Sequence, residues 1–128
     1  MIKLTFVVRR RSDVEPAEFH RYWRDQHGPL VRSLQSVLGI YRYVQTHRME
    51  TALNDALRAS RGALEPFDGV AELWWDDLDA LVEAISSPEG SAAGQTLLED
   101  EARFIDLEQS ALWLGHEIEI IPTSSSPV

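Results

Sequence analysis

Apolar residues open the chain with a two-residue period. Ile2, Leu4, Phe6 and Val8 alternate with Lys3, Thr5 and Val7, which predicts a strand with one face turned to a core. The period then lengthens. Phe19, Tyr22, Trp23 and Gln26 share one helical stripe. Pro16 suits the first helical position, and Glu15 and Glu18 are acids where the helix dipole favours them. The helix is expected to run to about Gln26. There His27-Gly28-Pro29 interrupts the hydrogen-bond ladder, because proline has no N–H and disfavours helical backbone before it.

Gly39 to His47, rich in aromatic and β-branched residues, predicts a second strand. Met49 to Leu64 reads as a polar helical excursion with a narrow stripe of Leu53, Ala56 and Leu57, ended by Gly62 and Pro66. Phe67 to Trp75 predicts a third strand that begins at an Asp-Gly turn. Leu78, Leu81, Val82 and Ile85 are at helical spacing behind an acidic first turn. A short helix broken by glycines is expected around residues 87–105. Ser110 to Ile121 predicts a last strand, and 122–128 a disordered tail.

The order β-α-β-(insert)-β-α-β is the split pattern of the ferredoxin-like α+β fold, βαββαβ, with a four-stranded antiparallel sheet and two helices on one face. We expect one domain over 1–121, with 49–66 as a helical insert between strands 2 and 3. The uncovered sheet face carries aromatic side chains and should not stay in water. The expected solution is a second copy of the same sheet, a homodimer closed as a dimeric α/β barrel, with a cavity inside the barrel or between sheet and helices.

Composition narrows the partners. Twelve Lys and Arg stand against 21 Asp and Glu, a net charge of −9. That argues against nucleic acid and against an anionic membrane surface, both of which need surplus cations. Arg9-Arg10-Arg11, the one basic cluster, is read as solvated. No cysteine is present, which excludes disulfides, thiolate nucleophiles and cysteine-held metal. No apolar segment has the length of a membrane span, and the basic cluster follows the first apolar run, the reverse of a signal peptide. A cytoplasmic location is expected. No histidine pair has the spacing of a helical metal site, and no nucleotide, flavin or nucleophile-elbow motif occurs. No metal and no cofactor are expected.

The candidate chemistry lies on histidine and strand residues. His27 is four residues past Trp23, so both project to one side of the helix. It is either a general acid/base, because histidine titrates near neutrality, or a buried histidine that ties the broken helix to a neighbour. Tyr41, Tyr43, Gln45 and His47 share a strand face that suits an oxygenated aromatic ligand. His47 alone could equally be a solvated strand end. Asp68 could line the ligand or serve its own turn. Glu72 and Trp74 share the face of Asp68 and Val70, and a carboxylate there needs a partner such as Arg42 or a histidine. Trp75 and Trp113 are assigned to the core. His20 is read as solvated, and His116 as a core or cavity residue.

Three blocks carry a family resemblance. Phe19, Tyr22-Trp23 and His27-Gly28-Pro29-Leu30 come first, then a strand ending in His47, then Asp68-Gly69 leading through an acidic and aromatic strand to Trp75. In this order and spacing they resemble the EthD family of the dimeric α+β barrel superfamily, from Ile2 to about Ile121. The resemblance implies a ferredoxin-like fold and a homodimer. Relatives include proteins similar to cofactor-free monooxygenases, lactone isomerases and polyketide decarboxylases or dehydratases.

Two functions follow. One is a cofactor-independent enzyme in which His27 moves a proton during oxygenation, decarboxylation or isomerisation of a small hydrophobic oxygenated compound, a polyketide, phenolic or lactone. Trp23, Tyr41, Tyr43, Gln45, His47, Asp68, Glu72 and Trp74 would shape its pocket, with the insert as lid or wall. The other is a non-catalytic ligand-binding or accessory homodimer with the same cavity.

Overall fold

The computed structural model describes residues 1–124. Four strands form one antiparallel sheet in the order β2-β3-β1-β4: β1 (Ile2–Val8), β2 (Arg42–His47), β3 (Gly69–Trp75) and β4 (Ala111–Gly115). Six α-helical segments accompany them: α1 (Pro16–Tyr22), α2 (Gly28–Ser33), α3 (Gln35–Leu38), α4 (Ala52–Arg61), α5 (Leu78–Ser86) and α6 (Pro88–Glu101). This is the ferredoxin-like α+β arrangement that the period changes predict.

Alternation along the strands sorts their residues into two faces. Leu4, Phe6 and Val8 of β1 face the helices with Tyr43 of β2, Ala71, Leu73 and Trp75 of β3, and Leu112 and Leu114 of β4. Register then sends Lys3, Glu72 and Trp74 to the opposite face. The helix-side core has two clusters. Phe6, Val8, Phe19, Trp23, Phe104 and Ile105 belong to one, and Val31, Leu38, Ile40, Trp75, Leu81 and Ala93 to the other. Tyr43 and Leu73 pack against both.

The first helix does not stop at His27. Residues Trp23–His27 form a π-helical turn between α1 and α2. The Gly28 N–H donates to the Trp23 carbonyl, five residues back, and Pro29 follows at the start of α2. The extra residue of the wider turn absorbs the proline that would break a regular helix. The Trp23 carbonyl also accepts from Gln45 Nε2 at 2.8 Å, so the irregular turn is tied to β2.

Two glycines are set by close approach. A Cβ on Gly69 would stand 2.5 Å from the Trp23 ring and 2.4 Å from the Thr46 carbonyl oxygen. The Trp23 indole therefore lies directly over the start of β3. A Cβ on Gly90 would stand 1.7 Å from the Ala84 carbonyl oxygen, so this glycine lets α6 pack onto α5. Glycine here does not break the helix as expected. Pro88–Glu101 is one helix, capped by the Ser87 hydroxyl, which accepts from the Gly90 N–H.

β2 begins at Arg42, since Gly39 takes a left-handed conformation (φ 67°) to end α3. β4 is shorter than the Ser110–Ile121 expected. It pairs with β1 from Val7 back to Lys3, and β1 itself begins at Ile2, so residues past Gly115 soon run out of partner. His116 thus lies beyond the strand, exposed, and Trp113 is not in the core but 52% exposed on the open face. α4 buries no residue and lines neither of the cavities described below. Of the expected tail, residues 125–128 lie outside the described residues. No described helix is long and apolar enough to cross a membrane.

Candidate functional site

The π-helical turn carries Trp23 and His27 inward, and both are buried. They line a cavity of about 320 Å³ between the sheet and the helices, near the lower end of the roughly 300–1,000 Å³ typical of small-molecule sites. Its wall is largely apolar, contributed by the helix-side positions of all four strands and by Val31, Leu81 and Leu97. The polar groups in it are few: the His27 imidazole, the Tyr43 hydroxyl and the Glu101 carboxyl.

His27 is held from behind. Its Nδ1 is 2.7 Å from Oδ2 of Asp100, in the last turn of α6. The Tyr22 hydroxyl donates to the other Asp100 oxygen at 2.5 Å, and Arg103 Nε stands 3.7 Å from that same oxygen. Phe104 packs beside the imidazole, with ring centroids 5.2 Å apart. Burial pushes the His27 pKa below the usual histidine value and outweighs the opposing pull of Asp100. A neutral imidazole that donates its Nδ1–H to Asp100 keeps a lone pair on Nε2. No hydrogen bond to that atom occurs among the described residues, and the side chain lines the cavity. Such an arrangement can take a proton from a bound molecule and return it.

Glu101 follows Asp100 and lines the same cavity. Burial first, and the neighbouring Asp100 second, push its pKa up to about 7. Tyr43 is pushed up to about 12, chiefly by burial, so its hydroxyl keeps its proton. Its oxygen accepts from Gln45 Nε2 at 2.8 Å. That leaves the Tyr43 O–H free to donate to a bound oxygen.

A chain of hydrogen bonds fixes Gln45. His47 Nε2 lies 2.7 Å from Gln45 Oε1, and His20 Nδ1 lies 2.8 Å from His47 Nδ1. The amide orientation sets the tautomers. Gln45 donates through Nε2 to Trp23 and Tyr43, so its oxygen must accept from His47 Nε2–H; His47 Nδ1 then accepts from His20 Nδ1–H. His20 is therefore half-buried and bonded rather than solvated. The absence of a side chain at Gly28 suits this packing, since a Cβ there would lie 3.4 Å from Gln45 Nε2.

The predicted site residues divide. His27, Trp23 and Tyr43 meet at the inner cavity. Gln45 and His47, with Tyr43 again, line an adjoining outer cleft of about 650 Å³. Four others lie elsewhere. Tyr41 precedes β2 and is 61% exposed, because the αL turn at Gly39 delays the strand. Asp68 is buried and ties its segment to the end of β1 rather than to its own turn: its Oδ2 accepts from the Arg10 N–H at 2.7 Å and its N–H donates to Val8. Glu72 and Trp74 project from the open face by strand alternation. Glu72 pairs with Lys3 at 2.6 Å, not with Arg42 or a histidine. The Trp74 indole N–H donates to Glu117, with Lys3 and Arg42 over its ring.

Asp100 and Glu101 were not anticipated from sequence. Both belong to the acidic run Glu99-Asp100-Glu101 at the end of α6. The available signal is the stripe Gly94, Leu97, Leu98 and Glu101, spaced three and four apart, which carries Glu101 into the apolar face of its helix. Among the described residues, no three His, Asp or Glu side chains gather as a metal-holding group.

The EthD domain model matches residues 11–108. The chain belongs to the EthD family. Among solved structures, it is similar to an EthD family protein from Bacillus halodurans, with a TM-score of 0.62 at 21% identity over 92% of this chain and 99% of the other. It is also similar to an EthD-like protein from Ralstonia eutropha, with a TM-score of 0.60 at 17% identity over 98% and 96%. A dimeric protein of unknown function and ferredoxin-like fold from Bacteroides fragilis gives 0.58 at 16% identity over 91% and 95%. No curated protein matches the chain. At these identities the solved structures establish the shared ferredoxin-like fold. In this EthD domain the π-helical turn, with His27 at its end, lines the apolar cavity through Trp23 and His27.

Proposed function

We propose that this EthD-family protein is an enzyme that uses His27 as general base and then general acid on a small apolar compound bearing oxygen, without a bound cofactor. The observation that carries the reading is the anchored imidazole: Nδ1 held at 2.7 Å by Asp100, Nε2 without a hydrogen-bond partner among the described residues, in a largely apolar cavity. A base removes a proton next to a carbonyl or from a phenol; the Tyr43 O–H donates to the oxygen that gains charge. Such preorganised donors in a dry site stabilise developing charge strongly. The same proton step begins an isomerisation, a decarboxylation or an oxygenation of an enol or phenol. Phenolic, polyketide and lactone compounds all fit an apolar wall with a few polar groups. A binding-only dimer would use the cavity but would have no need of an imidazole fixed in one tautomer.

The active form in this reading is a homodimer, joined through the open sheet face into a barrel, with residues 1–121 as one domain. The support is the half-exposed Trp113 on that face, with the apolar Val7 diagonal to it on the neighbouring strand, and the dimeric description of the Bacteroides fragilis protein of the same fold.

A turnover screen of phenols, lactones and β-diketones with the wild type and His27→Gln tests the function. Turnover that falls on the order of a hundredfold or more in a still-folded variant supports it, in line with the usual size of general-base effects. Equal turnover removes His27 from the chemistry.

A further inference from the structure

The inner cavity has a neighbour of a different character. The outer cleft shares Val31, Ile40 and Tyr43 with it as a common wall. Among the described residues no acidic side chain lines the cleft, although the chain carries 21 acids against 12 Lys and Arg. Two arginines line it instead. Arg24, Gly28 and Arg32 are spaced four apart along the continuous helical segment from the π-helical turn into α2, so the guanidinium groups flank a gap where glycine leaves no side chain. Arg32 makes no ion pair or hydrogen bond among the described residues. Among the described residues Arg24 pairs only with Asp25, its neighbour in sequence, through two bonds of 2.9 and 3.1 Å in an exposed contact, of a kind worth little in water. His47 and Gln45 add a polar floor.

We propose that the outer cleft is a carboxylate subsite of the same ligand site: the ligand is an apolar oxygenated acid whose ionised end lies between Arg24 and Arg32 and whose body passes Tyr43 into the inner cavity. Planar guanidinium groups match a carboxylate through paired N–H donors. A local cationic cleft in a chain of net charge −9 also counters the repulsion that an anionic ligand meets elsewhere on the surface. The division of labour follows. The arginines bind and orient, while His27, in the inner cavity, handles the proton. The inference rests on the reading of the inner cavity as a ligand site, but not on His27 being catalytic.

The test is calorimetric titration of phenylbutanoate and of phenylbutanamide, matched in size and differing in charge. The carboxylate is expected to bind about tenfold or more tightly than the amide at low salt, with the ratio shrinking as salt rises. Arg24→Gln/Arg32→Gln, two exposed substitutions, is expected to bring the two probes within about twofold of each other, and His27→Gln to leave the preference intact. Equal affinities in the wild type, or a preference that survives the double arginine variant, overturn the carboxylate subsite while leaving the inner cavity standing. Binding of neither probe overturns the subsite and the inner cavity together.

Discussion

His27 Nδ1 and Asp100 Oδ2 lie 2.7 Å apart, although 73 positions separate them in the chain. The contact joins the π-helical turn to the last turn of α6 and fixes which nitrogen of the imidazole carries the proton. Asp100 is thus a positioning residue, acting through His27. Asp100→Asn can turn its amide N–H toward Nδ1 and select the opposite tautomer. Its turnover is expected to fall on the order of tenfold to a thousandfold. Nitrogen NMR of His27 separates this from mere structural damage: the wild type should show a protonated Nδ1 and a bare Nε2, and the variant the reverse.

Glu101 makes the protein's stability depend on pH in a specific direction. Its folded pKa, about 7, is above the ordinary glutamate value, so the folded chain holds the proton more tightly than the unfolded chain. The stabilisation is complete below the unfolded pKa of about 4.3 and is lost as pH rises through about 7. Glu101→Gln should therefore stabilise the protein at about pH 8, by on the order of 1–3 kcal/mol, and change little at about pH 4. Urea melts at the two pH values check it.

His20 and His47 act with the opposite sign. Burial lowers both, and for His47 the charges of His20 and Arg24 lower it further. The unfolded chain then binds protons first. The stabilisation is whole above the unfolded pKa of about 6.5 and is lost as pH falls through the lower folded values. Protonation would also set two N–H groups against each other across the 2.8 Å contact. His47→Gln should flatten the loss of stability between about pH 7 and pH 5 relative to wild type. An unaltered slope would mean that the pair does not carry it.

Trp23 depends on a missing side chain. With a Cβ at residue 69 only 2.5 Å from its ring, Gly69→Ala must move the indole or bend β3. A destabilisation of about 1–3 kcal/mol is expected from such overpacking, together with weaker ligand binding, because Trp23 lines the cavity. Thermal melts and probe titration report the two effects.

Trp113 tests the assembly. It is half-exposed on the open sheet face, and a glutamate there would bring like charges together if two such faces meet. Wild type should sediment as a dimer at micromolar concentration and Trp113→Glu as a monomer. A wild-type monomer would contradict the barrel.

Much of this fold was legible because period and face are local properties. Alternation in residues 2–8 set the helix-side face of β1, and the stripe of Phe19 and Trp23 set the inward face of α1. The spacing of Trp23 and His27 puts both on one side of the helix, and both are buried. Failures came where one residue's geometry depended on a distant partner. Nothing near His27 in sequence announces Asp100. Gly28-Pro29 reads as a stop, because the tolerance of a π-helical turn for proline depends on tertiary support, here Gln45 reaching the Trp23 carbonyl. Glu72 and Trp74 were assigned to the pocket with their face undetermined, and only the register with β1 sent them to the opposite side. Tyr41 looked continuous with β2 until the left-handed Gly39 delayed the strand.

The most direct test of the proton chemistry is deuterium exchange into benzoylacetone, an apolar β-diketone with an acidic C–H, followed by proton NMR in heavy water near neutral pH. The wild type should accelerate exchange over buffer, and His27→Gln, shown to be folded by circular dichroism, should lose roughly a hundredfold or more of that acceleration. Acceleration that is equal in the two proteins, or absent in the wild type, would contradict a base at His27.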